Sequence, residues 1–134
     1  MTINELRILC CALNKYAIDL ARKKSSIPKH QVYNNALKNI YCKPFAEAIL
    51  DRSLWGRLFE SAIGAHIMSN AYAGDYKVYY WRTNPGCEVD YVLEKNGRIM
   101  EFRTQFSPYL SLVVGDGGMK AEDFLSINPV DLFK

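Results

Sequence analysis

The chain is poor in the residues that usually mark a site at first sight. Its 134 residues include four cysteines (Cys10, Cys11, Cys42 and Cys87) and two histidines, His30 and His66. No cysteine pair has Cys-x-x-Cys spacing and the histidines stand apart from the thiols, which argues against a zinc site. No G-x-x-x-x-G-K-[ST] loop occurs, so no ATP site is expected in this chain. The Met1 end is polar with no apolar signal core, and no apolar run reaches membrane-spanning length. No membrane partner is therefore expected. Free thiols without an export signal fit a reducing cytoplasm, where they would serve as small buried hydrophobes. Excess charge is also scarce: 17 Lys and Arg against 14 Asp and Glu leave +3, too little to argue for nucleic acid unless it clusters. There is no internal repeat and no low-complexity segment.

What remains is a globular composition, 49% hydrophobic and 23% charged, with nine tyrosines, six phenylalanines and two tryptophans. A chain of this length forms one domain in ordinary terms and buries about two thirds of its unfolded surface.

The most informative stretch runs from Cys87 to Arg103. Asn96-Gly97 can supply the two positive φ angles of a tight hairpin turn, so the flanks read as paired strands. With those two residues at the turn, Lys95 opposes Arg98, Val92 opposes Glu101 and Asp90 opposes Arg103. Opposed residues share a face, which predicts Asp90, Glu101 and Arg103 on one side of the sheet. Val89, Tyr91, Leu93, Met100 and Phe102 are predicted on the other, as a core. Two carboxylates and a cation on one patch are either a metal site with a charged helper or a solvated salt bridge.

In chain order, Ile3, Leu6, Leu9, Cys10 and Leu13 have helical spacing and predict an amphipathic helix over Ile3 to Asn14. From Arg22 to His30 a basic stretch surrounds Ser25-Ser26 and Pro28, which forbids a regular helix, so a loop is expected. Arg22, Lys23, Lys24 and Lys29 are its candidate nucleic-acid contacts, through charge on phosphate; a solvated basic loop is the alternative. Gln31 to Ile40 reads as a short strand leading into a helical turn, and Cys42 to Leu50 as a short helix after Pro44. Asp51 or Ser53 can cap a largely buried helix from Leu54 to about Ala71. Gly56, Glu60 and Gly64 form one stripe on it, which suggests a close backbone approach beside a buried acid; an acid paired with a nearby cation such as Arg57 is the other reading. Lys77 to Arg82 is a strand by β-branched and aromatic content, so a helix is followed by a three-stranded antiparallel meander. Leu112-Val113-Val114 is a final strand ended by Gly115-Asp116-Gly117-Gly118, read as a tight turn. Glu122 to Phe133 reads as a short helix and tail punctuated by Pro129.

The run Asp51-Arg52-Ser53-Leu54-Trp55-Gly56-Arg57-Leu58-Phe59-Glu60-Ser61-Ala62-Ile63-Gly64-Ala65-His66 resembles the start of a C-terminal domain of unknown function that follows AAA-type ATPase modules in bacteria and archaea. Tyr79-Tyr80-Trp81-Arg82, Glu88-Val89-Asp90, Val113-Val114-Gly115-Asp116-Gly117-Gly118 and Glu122 to Leu125 recur in the same order. The resemblance implies two parts, residues 1–14 as a helical remnant of a linker or winged-helix-like region and 15–134 as the C-terminal domain. It implies an α/β (α+β) fold, a restriction-endonuclease-like, PD-(D/E)xK, core with a buried helix on a small mixed sheet. That sheet is an antiparallel meander plus a final strand, shortened by loss of the crossover helix. Carried over, Glu60, Asp90, Glu101 and Arg103 take the nuclease positions, and Asp90, Glu101 and the Phe102 carbonyl would ligate Mg²⁺ if the site were active.

Arg103 stands where the pattern has lysine. Its pKa above about 12 excludes proton transfer, and its fork suits clamping a carboxylate. Only Thr104 to Ser111 joins the hairpin to the last strand, whereas a parallel crossover takes a dozen or more residues. Either that strand joins differently or a partner chain completes the sheet. The expectation is a non-catalytic accessory domain binding DNA or a protein partner, an ATPase among them. The alternatives are a Mg²⁺-dependent nuclease acting on DNA phosphodiesters and a truncated dimerisation or docking module; a homodimer is expected.

Overall fold

A computed structural model describes residues 9–17, 26–39, 44–83, 87–103, 111–114 and 118–134. The fold is mixed α+β. Strands β1 (Cys10–Leu13) and β2 (Lys29–Val32) form an antiparallel pair. Two single-turn helices, α1 (Ala36–Asn39) and α2 (Phe45–Ala48), lead to the long helix α3 (Arg52–Gly74). Then come β3 (Lys77–Arg82), β4 (Glu88–Lys95), β5 (Arg98–Arg103) and β6 (Ser111–Val113), hydrogen-bonded in that order. Helix α4 (Ala121–Ser126) and a 3-10 turn (Pro129–Phe133) follow.

Each end of α3 has a chemical cause. The Asp51 carboxylate accepts from the Ser53 and Leu54 amides at 3.1 Å, answering two of the donors left over at a helix start. At the other end Asp75 turns left-handed (φ 50°) and its amide reaches back to Ala71 and Tyr72. Lys95 Nζ donates to the Gly74 carbonyl at 2.6 Å and places a cation at the negative end of the helix.

Leu13, Ile63, Ile67, Tyr76, Tyr80, Tyr91, Leu93, Val114 and Phe124 form the main core between α3 and the sheet. Tyr79, Val89 and Val92 form a second cluster, with Tyr16 and Trp81 packed against it. Tyr16 meets the Tyr79 ring edge-on at 5.5 Å while its amide donates to the Tyr80 carbonyl at 2.7 Å. The His66 ring donates from Nε2 to the Ile127 carbonyl at 2.9 Å and ties α3 to the end of α4.

The hairpin has the expected turn and register. Asn96 (φ 51°) and Gly97 (φ 76°) are both left-handed, Lys95 faces Arg98 and Val92 faces Glu101. The predicted division of faces fails at one point. Tyr79 pairs with Val92 but Trp81 pairs with Val89, so β4 carries one extra residue between them. This bulge turns Val89 away from Tyr91 and into the second cluster, and it leaves Asp90 on the side of Lys29 and Tyr91, apart from Glu101, which opposes Val92.

Four other expectations are corrected. Cys10–Leu13 is a strand and not the end of a helix, because pairing with β2 and burial of Leu13 outweigh a helical spacing of apolar residues; residues 1–8 lie outside those described. Lys29 and His30 belong to β2 and not to a loop, since Pro28 only has to precede the strand. Strand β6 pairs parallel with β5, Glu101 facing Ser111, although the link between them is shorter than the dozen residues of an ordinary parallel crossover; the connection, residues 104–110, lies outside those described. Cys87 is exposed and not a core hydrophobe, whereas Cys10 and Cys11 are half-buried and Cys11 packs against the main core; Cys42 lies outside the described residues.

Candidate functional site

β2 crosses beside α3, and alternation along a strand sends Lys29 and Gln31 to the same side. Gln31 is buried, and its Nε2 donates to the Ser61 and Val32 carbonyls, each at 2.9 Å. Its Oε1 accepts from the Tyr91 hydroxyl at 2.9 Å, and the same phenol proton is shared with the Glu60 carbonyl at 3.0 Å. Burial pushes the Tyr91 phenol far above its ordinary pKa, and the Glu60 and Asp90 carboxylates push it further. Tyr91 therefore stays protonated and donating.

Above this plug lies an ion cluster. The Lys29 ammonium makes a close ion pair with Glu60 Oε1, and lies 3.8 Å from Asp90 Oδ1 and 3.9 Å from Glu88 Oε1. It also sits 5.4 Å from the centroid of the Tyr91 ring, within reach of a cation–π attraction. Glu88 accepts from Arg82 Nη2 at 2.8 Å, which extends the network to β3. The Asp90 carboxylate is the least exposed of the three, at 14%.

Of the residues read from the sequence, Glu60 and Asp90 meet through Lys29. Glu101 opposes Val92, a member of the second cluster, by register. Arg103 pairs by backbone with Val113, and the side chains of Phe102 and Arg103 lie outside the described residues. So do Arg22, Lys23 and Lys24 of the basic stretch. Lys29, the fourth of that set, is turned onto carboxylates and not held out for phosphate.

The glycine stripe divides. A Cβ on Gly64 would overlap the Tyr91 hydroxyl and stand 2.5 Å from Gln31 Oε1, so side chains make the close approach there and not a backbone. Gly56 has nothing within 4 Å.

The Mg²⁺ centre implied by the resemblance can be tested against this geometry. Among the described residues no group of three or more His, Cys, Asp or Glu side chains could hold a metal ion. Where Glu60 and Asp90 converge, a lysine ammonium already satisfies them. The arrangement does not fit a metal ion.

Glu88 is absent from the site residues read from the sequence, and Lys29 is there only as a phosphate contact and not as the partner of carboxylates. The signal was available in Lys29-His30-Gln31-Val32: once read as a strand, its alternation puts Lys29 beside Gln31. Reading the Cys10 segment as helix removed the partner such a strand needs.

The sequence model of a family described as a domain of unknown function (DUF4143) matches residues 55–109, less than half of the chain. The match takes in most of α3 and the β3–β5 meander, with Glu60, Asp90 and Glu101, and leaves Lys29 outside. No curated protein and no solved structure matches the chain. Among the described residues no helix is long and apolar enough to cross a membrane.

Proposed function

We propose that the chain is a non-catalytic accessory domain on a restriction-endonuclease-like core, belonging with an AAA-type ATPase, and that it acts by binding a protein partner. The Lys29 ammonium seated among Glu60, Glu88 and Asp90 carries this reading. Metal-assisted phosphodiester hydrolysis needs such carboxylates to hold a dication that activates water and stabilises the developing charge. A lysine fixed on a neighbouring strand competes for them. Arginine at position 103 removes the proton-transfer option as well.

Partner choice follows from the surface. Ile49, Leu50 and Trp55 are 49%, 84% and 39% exposed around the turn from α2 into α3. Apolar residues close together on a surface, a tryptophan among them, favour protein contact. The inward turn of Lys29 takes one cation from the set that would hold DNA.

The test has two arms. Supercoiled plasmid incubated with the protein and Mg²⁺ or Mn²⁺ should remain intact, and the Arg103→Lys variant should be equally silent. Metal-dependent nicking that Glu101→Ala abolishes would overturn the non-catalytic reading. In the second arm, the family's ATPase module should co-elute with this chain, and Leu50→Asp with Trp55→Ser should abolish co-elution. Retention on DNA that falls steeply with salt, with no ATPase co-elution, would replace the protein partner with nucleic acid. A stable dimer that engages neither would favour the dimerisation module.

A further inference from the structure

We infer that the exposed front of α3, centred on Gly56 between Arg52 and Arg57, receives the protein partner through an acidic segment that carries apolar side chains. The inference rests on the protein-binding reading for the kind of partner, and adds which surface meets it and with what charge.

Three local features here run against the stability of the fold itself. Gly56 lies inside a helix, where glycine is less stable than alanine, and a Cβ there would meet nothing within 4 Å. Tyr91 and Gln31 account for Gly64 on the same stripe, but no contact among the described residues accounts for Gly56. Arg52 and Arg57 place two cations near the positive end of the helix dipole, and the first turn holds no acid to offset them. Among the described residues neither guanidinium has a carboxylate partner. Leu50 and Trp55 hold the two positions of a hydrophobic staple around the Asp51 cap, yet Leu50 stays 84% exposed.

These features adjoin one another. Arg52 and Gly56, four residues apart, share a stripe, and Arg57 comes next around the helix. All three are exposed. A residue without a side chain between two arginines leaves a saddle on which another backbone can lie close. Glu60, further along the stripe, is paired with Lys29, and the Asp51 carboxylate is turned onto the helix amides. The front is therefore positive and complements a negatively charged segment. Leu50 decides between protein and nucleic acid, because its side chain gains by burial against apolar groups and gains nothing from phosphate.

The test uses the full chain and two probes. One is the ATPase module; the other is a fluorescent helical peptide of Leu, Ala and Glu, with its Lys-for-Glu counterpart as control. By fluorescence anisotropy wild type should favour the Glu peptide over the Lys peptide by about tenfold or more, and Arg52→Glu with Arg57→Glu should invert that order. Gly56→Leu should release both the ATPase module and the Glu peptide while its melting temperature holds or rises. Acids suit a helix start, so the charge-reversed variant should also keep its melting temperature, and its loss of binding is then not loss of fold. If the ATPase module co-elutes with wild type and equally with both variants, the inference fails while the protein-binding reading stands. If wild type captures no ATPase module, that reading loses its partner and the peptide order alone decides the inference. Equal binding of the two peptides would overturn it, as would a DNA duplex held more tightly than the Glu peptide and lost on charge reversal.

Discussion

The Tyr91 hydroxyl stands 2.9 Å from Gln31 Oε1, and together the two groups occupy the space that a side chain at position 64 would need. One phenol thus joins β4, β2 and α3, and the Lys29 ammonium lies against its ring. Stability and site geometry therefore depend on the same few atoms.

Gly64 and Gly56, on the same helical stripe, should respond in opposite directions to alanine. Gly64→Ala forces its Cβ into the Tyr91 hydroxyl and should cost about 1–3 kcal/mol as an overpacked core position. Gly56→Ala meets nothing within 4 Å and should gain up to about 1 kcal/mol from helix propensity. Urea melts of the two variants check this; similar signs would mean that α3 is not seated as described.

Tyr91→Phe removes the donor that Gln31 Oε1 and the Glu60 carbonyl share while keeping the ring. Leaving a buried amide oxygen unanswered should cost about 1–3 kcal/mol. Equilibrium unfolding should show an earlier midpoint with an unchanged slope.

Alkaline pH should destabilise the fold through the same residue. Burial raises the folded pKa of both Tyr91 and Tyr76 above the ordinary 10.0, so above that pH the unfolded chain releases protons that the folded one keeps. The unfolded state then binds fewer protons, and stability falls as pH rises, by about 1.4 kcal/mol per pH unit for each tyrosine. The contribution is fully present below pH 10 and declines above it. Unfolding free energies measured from pH 8 to 11 should be level at first and then drop, less steeply in Tyr91→Phe.

Lys29→Met should weaken the join between β2, α3 and β4. The cluster is partly solvated, with side-chain exposures of 14–34%, so the loss should fall between surface and buried ion pairs, about 1–2 kcal/mol. Adding Glu60→Gln should recover part of it, because the charge left without its cation is then gone. A double-mutant cycle that showed simple additivity would mean that Lys29 and Glu60 do not interact.

Much of this was legible from local chemistry. Asp51 announces the start of α3 because a carboxylate there can answer free amides, and Asn96-Gly97 sets the hairpin register because few other pairs accept two positive φ angles. The rest depends on neighbours distant in sequence. Cys10–Leu13 is a strand only because Lys29–Val32 lies beside it, and taken alone its apolar spacing reads as helical. The bulge in β4 shows no glycine or proline; it follows from how β3 pairs, and it decides which face Val89 takes. Lys29 looked like part of a basic surface loop because its acidic neighbours lie 31 or more residues further along the chain.

The central claim, that an ammonium and not a metal ion holds Glu60 and Asp90, is tested most directly by a crystal structure of the wild-type protein grown in Mn²⁺, with anomalous data at the manganese edge. The expected result is Lys29 Nζ between the Glu60 and Asp90 carboxylates and no anomalous peak there. A manganese peak bonded to Asp90, with Lys29 displaced, would contradict it.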